Sequence, residues 1–590
     1  MTSRSLQDVT EGEAFDVVVI GAGGAGMAAA LFAAISGLKV ILIEHTGQVG
    51  GSTAYSAGSA WIPNTSHAAT VGAQDSIENA ALYLRHSVGN QSSESIRHAF
   101  LANGPDAVAE LEAHSEVKFR ARPLHPDYNS PLPGSSLKGR VLEAAPYDGR
   151  DLKDLLTLIR EPIPEFMILG GMMVNQEDVL HLLNMLKSFR SFRHSVRILA
   201  RHALDRLRRP RGTRLMMGNA LVARLLVSLH RRHVPILMNA SVAQVESGAD
   251  GVSSVTIRQN DVVRAIRIRG GMVAATGGFS RHPARRAEML RKPVAAYCPG
   301  APGHTGQLHD LLLKAGARYG TDHRDTAFWS PVSVRARADG STAVFPHFIF
   351  DRGRPGTITV NGQGRRFVNE ALSYHPFTQA MFEANETAPS IPAFLITDED
   401  GLRKYGLGMV RPSRFGRAGF LKDGYLVSAP TLAELAGRLE IDPAALTETV
   451  ARFNGFAASG IDPDFGRGGT DYQRITAGDL SHKPNPCLGP IARAPFYAVR
   501  LYPGDIGAAT GLVTDEDARV LRDDGSAVGR LYACGNDMNS VMGGNYPGPG
   551  ITIGPGLVFS YIAVRHIVDR LRASGEDGPK IALNAGAPAD

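Results

Sequence analysis

The stretch "FDVVVIGAGGAGMAAALFAAISGLKVILIEHTG", residues 15–47, decides how the rest of the chain is read. It opens as an apolar strand, turns through Gly21, Gly23 and Gly26 in GxGxxG spacing, continues as an alanine-rich helix, and closes a second apolar strand at Glu44. The glycines have separate mechanical roles, in which the first turns tightly, the second lets backbone approach a pyrophosphate, and the third packs helix on strand. The helix start offers unpaired N–H groups and a positive dipole end to phosphates. Glu44, eighteen residues beyond Gly26, is placed to accept hydrogen bonds from a ribose hydroxyl. The order strand, turn, helix, strand, acid predicts a dinucleotide site. Val17 to Leu38 is uncharged for 22 residues, long enough to span a bilayer, but five glycines interrupt it and favour the strand-turn-helix reading.

Three further segments extend the site. "VGGSTAYSAGSAWIPN", residues 49–64, is a glycine- and serine-rich turn where FAD enzymes wrap the pyrophosphate and reach the flavin. "RGGMVAATGGFSRHPARR", residues 269–286, is a late strand followed by Ala275, Thr276, Gly277 and Gly278. "GRLYACGNDMNSVMGG", residues 529–544, runs into "GGNYPGPGITIGPGL" and an apolar helix. Cofactor segments at the start, middle and end imply a large insertion between them. The 590-residue length and 43% apolar content suit two or three domains. Cys298, Cys487 and Cys534 lie far apart without CxxC spacing, so no disulfide framework or metal site is expected. The polar, partly acidic start lacks a signal-peptide pattern, and a cytoplasmic protein is expected. Six arginines fall in "RHALDRLRRPRGTR", residues 201–214. They read first as a solvated helix end and loop, second as a contact with an anionic membrane surface; no aromatic residue interleaves with them, which disfavours nucleic acid.

With these motifs the chain resembles, over nearly its whole length, the flavoproteins that include fumarate reductases and 3-ketosteroid Δ1-dehydrogenases, and it is more similar to the latter. The resemblance implies an α/β architecture: a Rossmann-like FAD-binding domain of the glutathione-reductase type (1–297 and 498–590, with a helical insertion at about 151–235) and an inserted α+β substrate domain (298–497). It implies FAD contacts from Gly21, Gly23, Gly24, Ala25, Gly26 and Glu44, from Gly51, Ser52, Thr53, Ser56 and Gly58, from Val242, Ala275, Thr276 and Gly277, and from Asn536, Asp537 and Ile551. No histidine occurs between Gly47 and Trp61, where covalent relatives carry their flavin link, so noncovalent FAD is expected.

The two branches need different chemistry. A fumarate reductase must clamp two carboxylates and donate a proton. Its proton-donating arginine follows an Asn-Glu pair by four residues; here that pair is Asn369 and Glu370, and the position holds Tyr374. In "FYAVRLYPGDIGAATGL", residues 496–512, the reductases' histidine turn is absent and Asp505 sits in a "PGD" turn similar to that of ketosteroid dehydrogenases. "NSVMGGNYPGPG" likewise replaces a carboxylate-binding arginine.

A ring-ketone dehydrogenase needs donors on the ketone oxygen and a base for the alpha carbon. The resemblance assigns the donors to the Tyr546 hydroxyl and the Gly550 N–H, the base to Tyr374, and a helper for that base to Tyr128; Tyr147, Tyr497 and Tyr502 are fallbacks. A Tyr546 phenol turned away from the flavin, or a guanidinium lining the same cavity, would overturn this scheme. The implied reaction is desaturation of a 3-ketosteroid or smaller cyclic ketone, with electrons passed to a quinone or another acceptor. Reduction of an unsaturated acid or enone is the alternative, and a non-catalytic flavin protein at a membrane the second. Met167, Met172 and Met173 read as packing residues before they read as an adaptable substrate wall. The sequence leaves oligomeric state open.

Overall fold

The computed structural model describes residues 5–348, 351–413 and 415–575; the outer ends of the expected FAD-domain segments, 1–4 and 576–590, lie outside the described residues. The strand Glu13–Ile20 carries the β-branched run Val17 to Ile20, and a run with no polar alternation belongs in the middle of a parallel sheet covered on both faces. It lies there. It pairs in parallel with Val40–Ile43 on one side and Val262–Ala274 on the other. Ala527–Ala533 and Ile236–Leu237 extend the parallel set, and Arg519–Leu521 closes one edge. An antiparallel extension from Ala240–Gly248 and Gly251–Gln259 completes eight strands.

The helix Gly24–Ile35 presents Ala28, Ala29, Ala30 and Ala33, all fully buried, to its neighbours. Side chains this small let the helices Met217–Arg231 and Ile553–Ala573 pack closely against it. The register aligns Ile20 with Ala274 and Ala274 with Ala533, so the carboxyl ends of four parallel strands reach one rim together. Gly21, Glu44, Ala275 and Cys534 leave the sheet at that rim. The Ala275 N–H donates to the Ile20 carbonyl (2.9 Å) and the Cys534 N–H to the Ala274 carbonyl (3.0 Å). In open α/β sheets ligands bind at such a rim.

A second, six-stranded antiparallel sheet runs in the order Thr342–Pro346, Ala327–Ala336, Phe496–Ala508, Ala393–Thr397, Thr357–Val360, with Val427–Ala429 also paired to Phe496–Ala508. Helices such as Tyr374–Asn385 and Pro443–Ser459 accompany it. An FAD-binding Rossmann-like part with an additional α+β part therefore matches the expected class. The expected border between residues 497 and 498 needs correction, because it cuts the strand Phe496–Ala508, all of whose strand partners belong to the second sheet. The border falls after Ala508. The "PGD" turn is corrected for the same reason: Pro503, Gly504 and Asp505 pair with Pro331, Ser330 and Trp329 inside that strand. Pro503 lies past the strand's last pairing with Ala393–Thr397, at Leu501, so its missing N–H removes no ladder bond on that side.

Gly21 shows how little freedom the nucleotide turn has. Its φ is +105°, its N–H donates to the Ile43 carbonyl (2.7 Å), and a Cβ there would overlap the carbonyl of Ala275. Gly21→Ala combines a left-handed backbone penalty of about 1–3 kcal/mol with a steric clash. The variant is expected to purify with little flavin and to melt several degrees lower, read by the visible-to-ultraviolet absorbance ratio and by calorimetry.

Candidate active site

One cavity of about 340 Å³ runs from the rim of the parallel sheet to the second sheet. At the rim, the N–H of Ala25, in the first turn of Gly24–Ile35, donates to no acceptor among the described residues, and the side of Gly23 where a Cβ would stand is open. The N–H of Gly24 donates to Thr53 Oγ1 (3.2 Å), tying the helix start to the 3-10 turn Gly51–Tyr55. Glu44 is 8% exposed; Oε2 accepts from the Ala22 N–H (2.8 Å) and Oε1 from the N–H (2.8 Å) and Oγ1 (2.7 Å) of Thr46. Held this way, the carboxylate lines the cavity with one lone-pair site unfilled.

Three phenols meet at the other end. Tyr546 lies in the turn before Ile553–Ala573, Tyr374 opens the helix Tyr374–Asn385, and Tyr128 lies in the loop between the strands Phe119–Ala121 and Val141–Ala144. The Tyr128 ring stacks on Tyr546 (centroids 5.9 Å apart), and Tyr374 meets Tyr546 edge-on (4.9 Å). The hydroxyls of Tyr128 and Tyr374 are hydrogen-bonded at 3.3 Å.

Each phenol is held by its neighbours in sequence. The Tyr128 N–H donates to the Pro547 carbonyl (2.9 Å). The adjacent Asp127 accepts from Trp61 Nε1 (2.8 Å), the Ser136 N–H (2.9 Å) and Arg140 Nη1 (2.7 Å). Ahead of Tyr374, buried Glu370 accepts from Arg366, Arg467 and the Thr359 N–H, and the two guanidinium charges offset burial and hold its carboxyl at about 2. Behind it, His375 Nδ1 accepts the Trp329 N–H (3.1 Å), consistent with a ring that burial pushes down to about 4.

Gly550 completes this end. Its φ is +89°, a Cβ would overlap the Ser59 carbonyl, and its carbonyl accepts from Trp61 (3.1 Å) and Gly554 (2.8 Å). Its own N–H donates to nothing among the described residues, while Gly550 and Tyr546 both line the cavity. Burial pushes all three phenols up, Tyr128 and Tyr374 furthest, and the neighbouring phenols add to the rise at those two. The Tyr128 hydroxyl donates to that of Tyr374, the contact expected of a helper.

The FAD binding domain family matches residues 16–553. The chain belongs to this family of FAD-binding oxidoreductases, related to 3-ketosteroid dehydrogenase and fumarate reductase. It is 36% identical over 576 residues, 97% of each chain, to 4-oxocyclohex-2-ene-1-carboxylate 5-dehydrogenase of Sinomonas cyclohexanicum. It is 36% identical to 3-oxosteroid 1-dehydrogenase of Mycobacterium tuberculosis over 94% of this chain and 98% of the relative. The crystal structure of 3-ketosteroid Δ1-dehydrogenase from Sterolibacterium denitrificans superposes with a TM-score of 0.87 at 32% identity, covering 94% of this chain and 99% of that one. This family member is an FAD-dependent oxidoreductase, and FAD is its noncovalent cofactor.

The rim suits FAD on its own evidence, since free N–H groups, a glycine open on its Cβ side and an acceptor carboxylate are what pyrophosphate and ribose require. Among the residues expected to touch it, Gly21, Gly23, Gly24, Ala25 and Glu44 line the cavity, as do Gly51, Ser52, Thr53, Ser56 and Gly58. Val242, Ala275, Thr276, Gly277 and Asn536 line it too. Three do not. Gly26 packs against the Gly21 carbonyl. Ile551 points into a separate 20 Å³ void beside Phe559. Asp537 is fully buried: it accepts from Thr276 Oγ1 (2.8 Å) and the Gly278 N–H (2.7 Å) and lies 2.9 Å from His309 Nε2. Asp537 thus shapes the Thr276 to Gly278 turn and does not line the cavity.

All four residues of the expected ketone site, Tyr128, Tyr374, Tyr546 and Gly550, line the phenol end, and the fallbacks Tyr147, Tyr497 and Tyr502 do not reach the cavity. Met167, Met172 and Met173 are buried and off its wall, which receives Ile163 and Phe166 from the same region instead. The sequence reading missed the segment from Pro299 to Leu308, including His304, whose ring fills the space Gly277 leaves by lacking a Cβ and which burial pushes down to about 4. Its glycine- and proline-rich composition, "CPGAPGHTG", was the signal that could have found it.

Two guanidiniums do reach the wall, Arg160 and Arg122. Arg160 donates to Thr46 Oγ1 (2.8 Å), beside Glu44, and so belongs to the nucleotide end. Arg122 belongs to the phenol end, so the guanidinium that the sequence reading set against the ketone scheme is present there; a single one is too few to clamp two carboxylates, so it does not restore dicarboxylate chemistry.

Asp537→Ala strands the buried N–H of Gly278 and the His309 ring. Unsatisfied buried donors cost about 1–3 kcal/mol, so FAD affinity is expected to fall by roughly one to two orders of magnitude. Fluorescence titration of the apoprotein with FAD measures this; unchanged affinity would show that the Thr276 to Gly278 turn keeps its shape without the carboxylate.

Proposed function

We propose that this protein introduces a carbon–carbon double bond alpha,beta to a ring ketone. The observation that carries the reading is the pairing, on one cavity wall, of the Tyr546 hydroxyl with a Gly550 N–H that has no acceptor among the described residues, with Tyr374 against Tyr546. A phenol and a main-chain amide at the start of a 21-residue helix form a preorganised pair of donors for a ketone oxygen becoming an enolate. Tyr374 takes the proton from the alpha carbon as its phenolate. Tyr374 must first release its own proton to solvent; the Tyr128 hydroxyl, which donates to it at 3.3 Å, then holds the phenolate, whose high proton affinity makes it a strong base. The electron pair left by that proton forms the double bond, and the beta carbon gives up a hydride. FAD, when bound, accepts that hydride. The two electrons then pass to a quinone or another acceptor. The relatives support ring ketones of two kinds, steroids and 4-oxocyclohexane-type carboxylates.

Tyr546→Phe removes one of the two donors. Turnover is expected to fall about a hundredfold, as in oxyanion-hole deletions, while the protein stays yellow. Anaerobic mixing with a 3-ketosteroid and with cyclohexanone, followed as bleaching near ~450 nm, reads the reductive half-reaction. Unaltered bleaching in the variant would remove the oxyanion assignment.

We also infer a peripheral membrane contact at the helix Phe189–Arg206 and its flanks. Half of the arginine cluster turns inward: Arg201 bonds to Asp148, Arg211 to Asn219 and Arg214 to Asp178. Arg206 and Arg208 remain exposed beside Leu207 (80% exposed) at one end of the helix, and Lys187, Arg190 and Arg193 are exposed beside Leu186 (93%) and Phe189 (79%) at the other. Exposed apolar groups among cations suit the interface of an anionic bilayer. Among the described residues no helix is long and apolar enough to cross one. Co-sedimentation with vesicles containing phosphatidylserine is expected, reduced several-fold by Leu186→Ser with Phe189→Ser; equal sedimentation of the variant would exclude this surface.

A further inference from the structure

Arg122 follows the strand Phe119–Ala121 and is tied to the three-stranded sheet by its N–H, which donates to the Val141 carbonyl at 3.0 Å. Its side chain reaches the cavity wall at the phenol end, close enough to Tyr128 and His125 for its charge to act on both. Among the described residues it makes no side-chain hydrogen bond. The nearest carboxylate is Glu143, 3.2 Å from Nε, and Glu143 also lies 3.7 Å from Arg120. Two guanidiniums against one carboxylate leave net positive charge here, and the paired Nη donors of Arg122 have no acceptor among the described residues.

His125 lies beside Arg122 on the same wall. Its ring is 6.4 Å from that of Tyr128, and it is only 6% exposed. Burial and the Arg122 charge push it down to about 3, so it is neutral and adds no second charge. Its Nδ1 makes a long contact with the Pro126 carbonyl (3.4 Å), and the other ring nitrogen has no partner among the described residues. The rings of Tyr546, Tyr128 and His125 follow one another at 5.9 and 6.4 Å. This places Tyr128 between His125 and the Tyr546 phenol. Ile163, Phe166 and Phe348 supply apolar wall in the same cavity.

A hydrocarbon skeleton laid over Arg122 would strip water from the guanidinium and return no hydrogen bond. A carboxylate would return two, in the forked geometry that favours arginine over lysine. We propose that Arg122, with His125 beside it, is a carboxylate subsite, and that the substrate is a ring ketone carrying a carboxylate across the ring from the carbonyl. This rests on the ring-ketone reading above and narrows its substrate class.

The test uses the holoenzyme, Arg122→Gln and Arg122→Lys, with 4-oxocyclohexanecarboxylate, its methyl ester and a 3-ketosteroid. Turnover and anaerobic bleaching are measured for each. Binding of 4-hydroxybenzoate and its methyl ester, planar mimics of the enol, is followed by perturbation of the flavin spectrum. For the wild type, kcat/KM for the acid should exceed that for the ester at least tenfold. Arg122→Gln should lose at least ten times more on the acid than on the ester, chiefly through KM, and 4-hydroxybenzoate binding should weaken in parallel. Arg122→Lys, which keeps the charge without the fork, should retain part of the preference and serves if Arg122→Gln does not fold. Equal losses on acid and ester would overturn the proposal and assign Arg122 to the phenol pair. Bleaching by the steroid with none by the acid would overturn it while the ring-ketone reading stands. Bleaching by none of the three ketones would overturn both.

Discussion

The carbonyl of Pro547 is where the site is assembled. It accepts the N–H of Tyr128 (2.9 Å) and the hydroxyl of Tyr83 (2.6 Å), from segments more than four hundred residues away in sequence. The proline fixes the turn that aims Tyr546, and the two hydrogen bonds fix where the Tyr128 loop lies against it. Stacking of Tyr128 on Tyr546 follows from that attachment. The loop brings its own rigidity: Arg140, 2% exposed, bridges Asp127 and Asp75, and Trp61 donates to Asp127. A buried ion pair with its remaining donors satisfied contributes little net stability, but it specifies one loop conformation.

The two sheets divide the work. Parallel strands bring four carboxyl ends to one rim, and the groups that emerge there, a glycine turn, an acid and a second glycine turn, suit a dinucleotide. The antiparallel sheet carries Tyr374 through the Trp329 to His375 hydrogen bond and through the Glu370 anchor. Asp537 joins the late glycine turn to His309 without facing the cavity. A carboxylate placed inside a cofactor motif thus acts on backbone geometry.

The phenols show the limit of assigning chemistry from residue type. Tyr128 and Tyr374 lie within hydrogen-bonding distance, as a helper and a base should, yet burial raises both, and the Arg122 charge offsets only part of the rise at Tyr128. Proton affinity at such a site is set by what excludes water, and water exclusion is a property of three chain segments packed together.

The sequence by itself determined the nucleotide half and singled out Tyr128, Tyr374, Tyr546 and Gly550, which the fold brings to one end of the cavity. Gly26 is dictated locally, because a Cβ there would strike the Gly21 carbonyl, and Gly21 by its φ of +105°. Tyr546 and Gly550 share one short turn whose prolines and glycines allow few conformations. Tertiary structure alone decided the rest. The strand Phe496–Ala508 overrode a "PGD" turn because pairing partners from distant segments outweigh local turn preference. It also carried the border between the two parts past residue 508. The cluster of arginines near residue 210 separated into inward pairs and exposed charges according to which acids the fold set beside each. Arg122 and His125 reached the phenol cavity through pairing of the Phe119–Ala121 strand with Val141–Ala144. Contacts between segments far apart in the chain leave no periodicity for a sequence to display, and those contacts set what the cavity can bind.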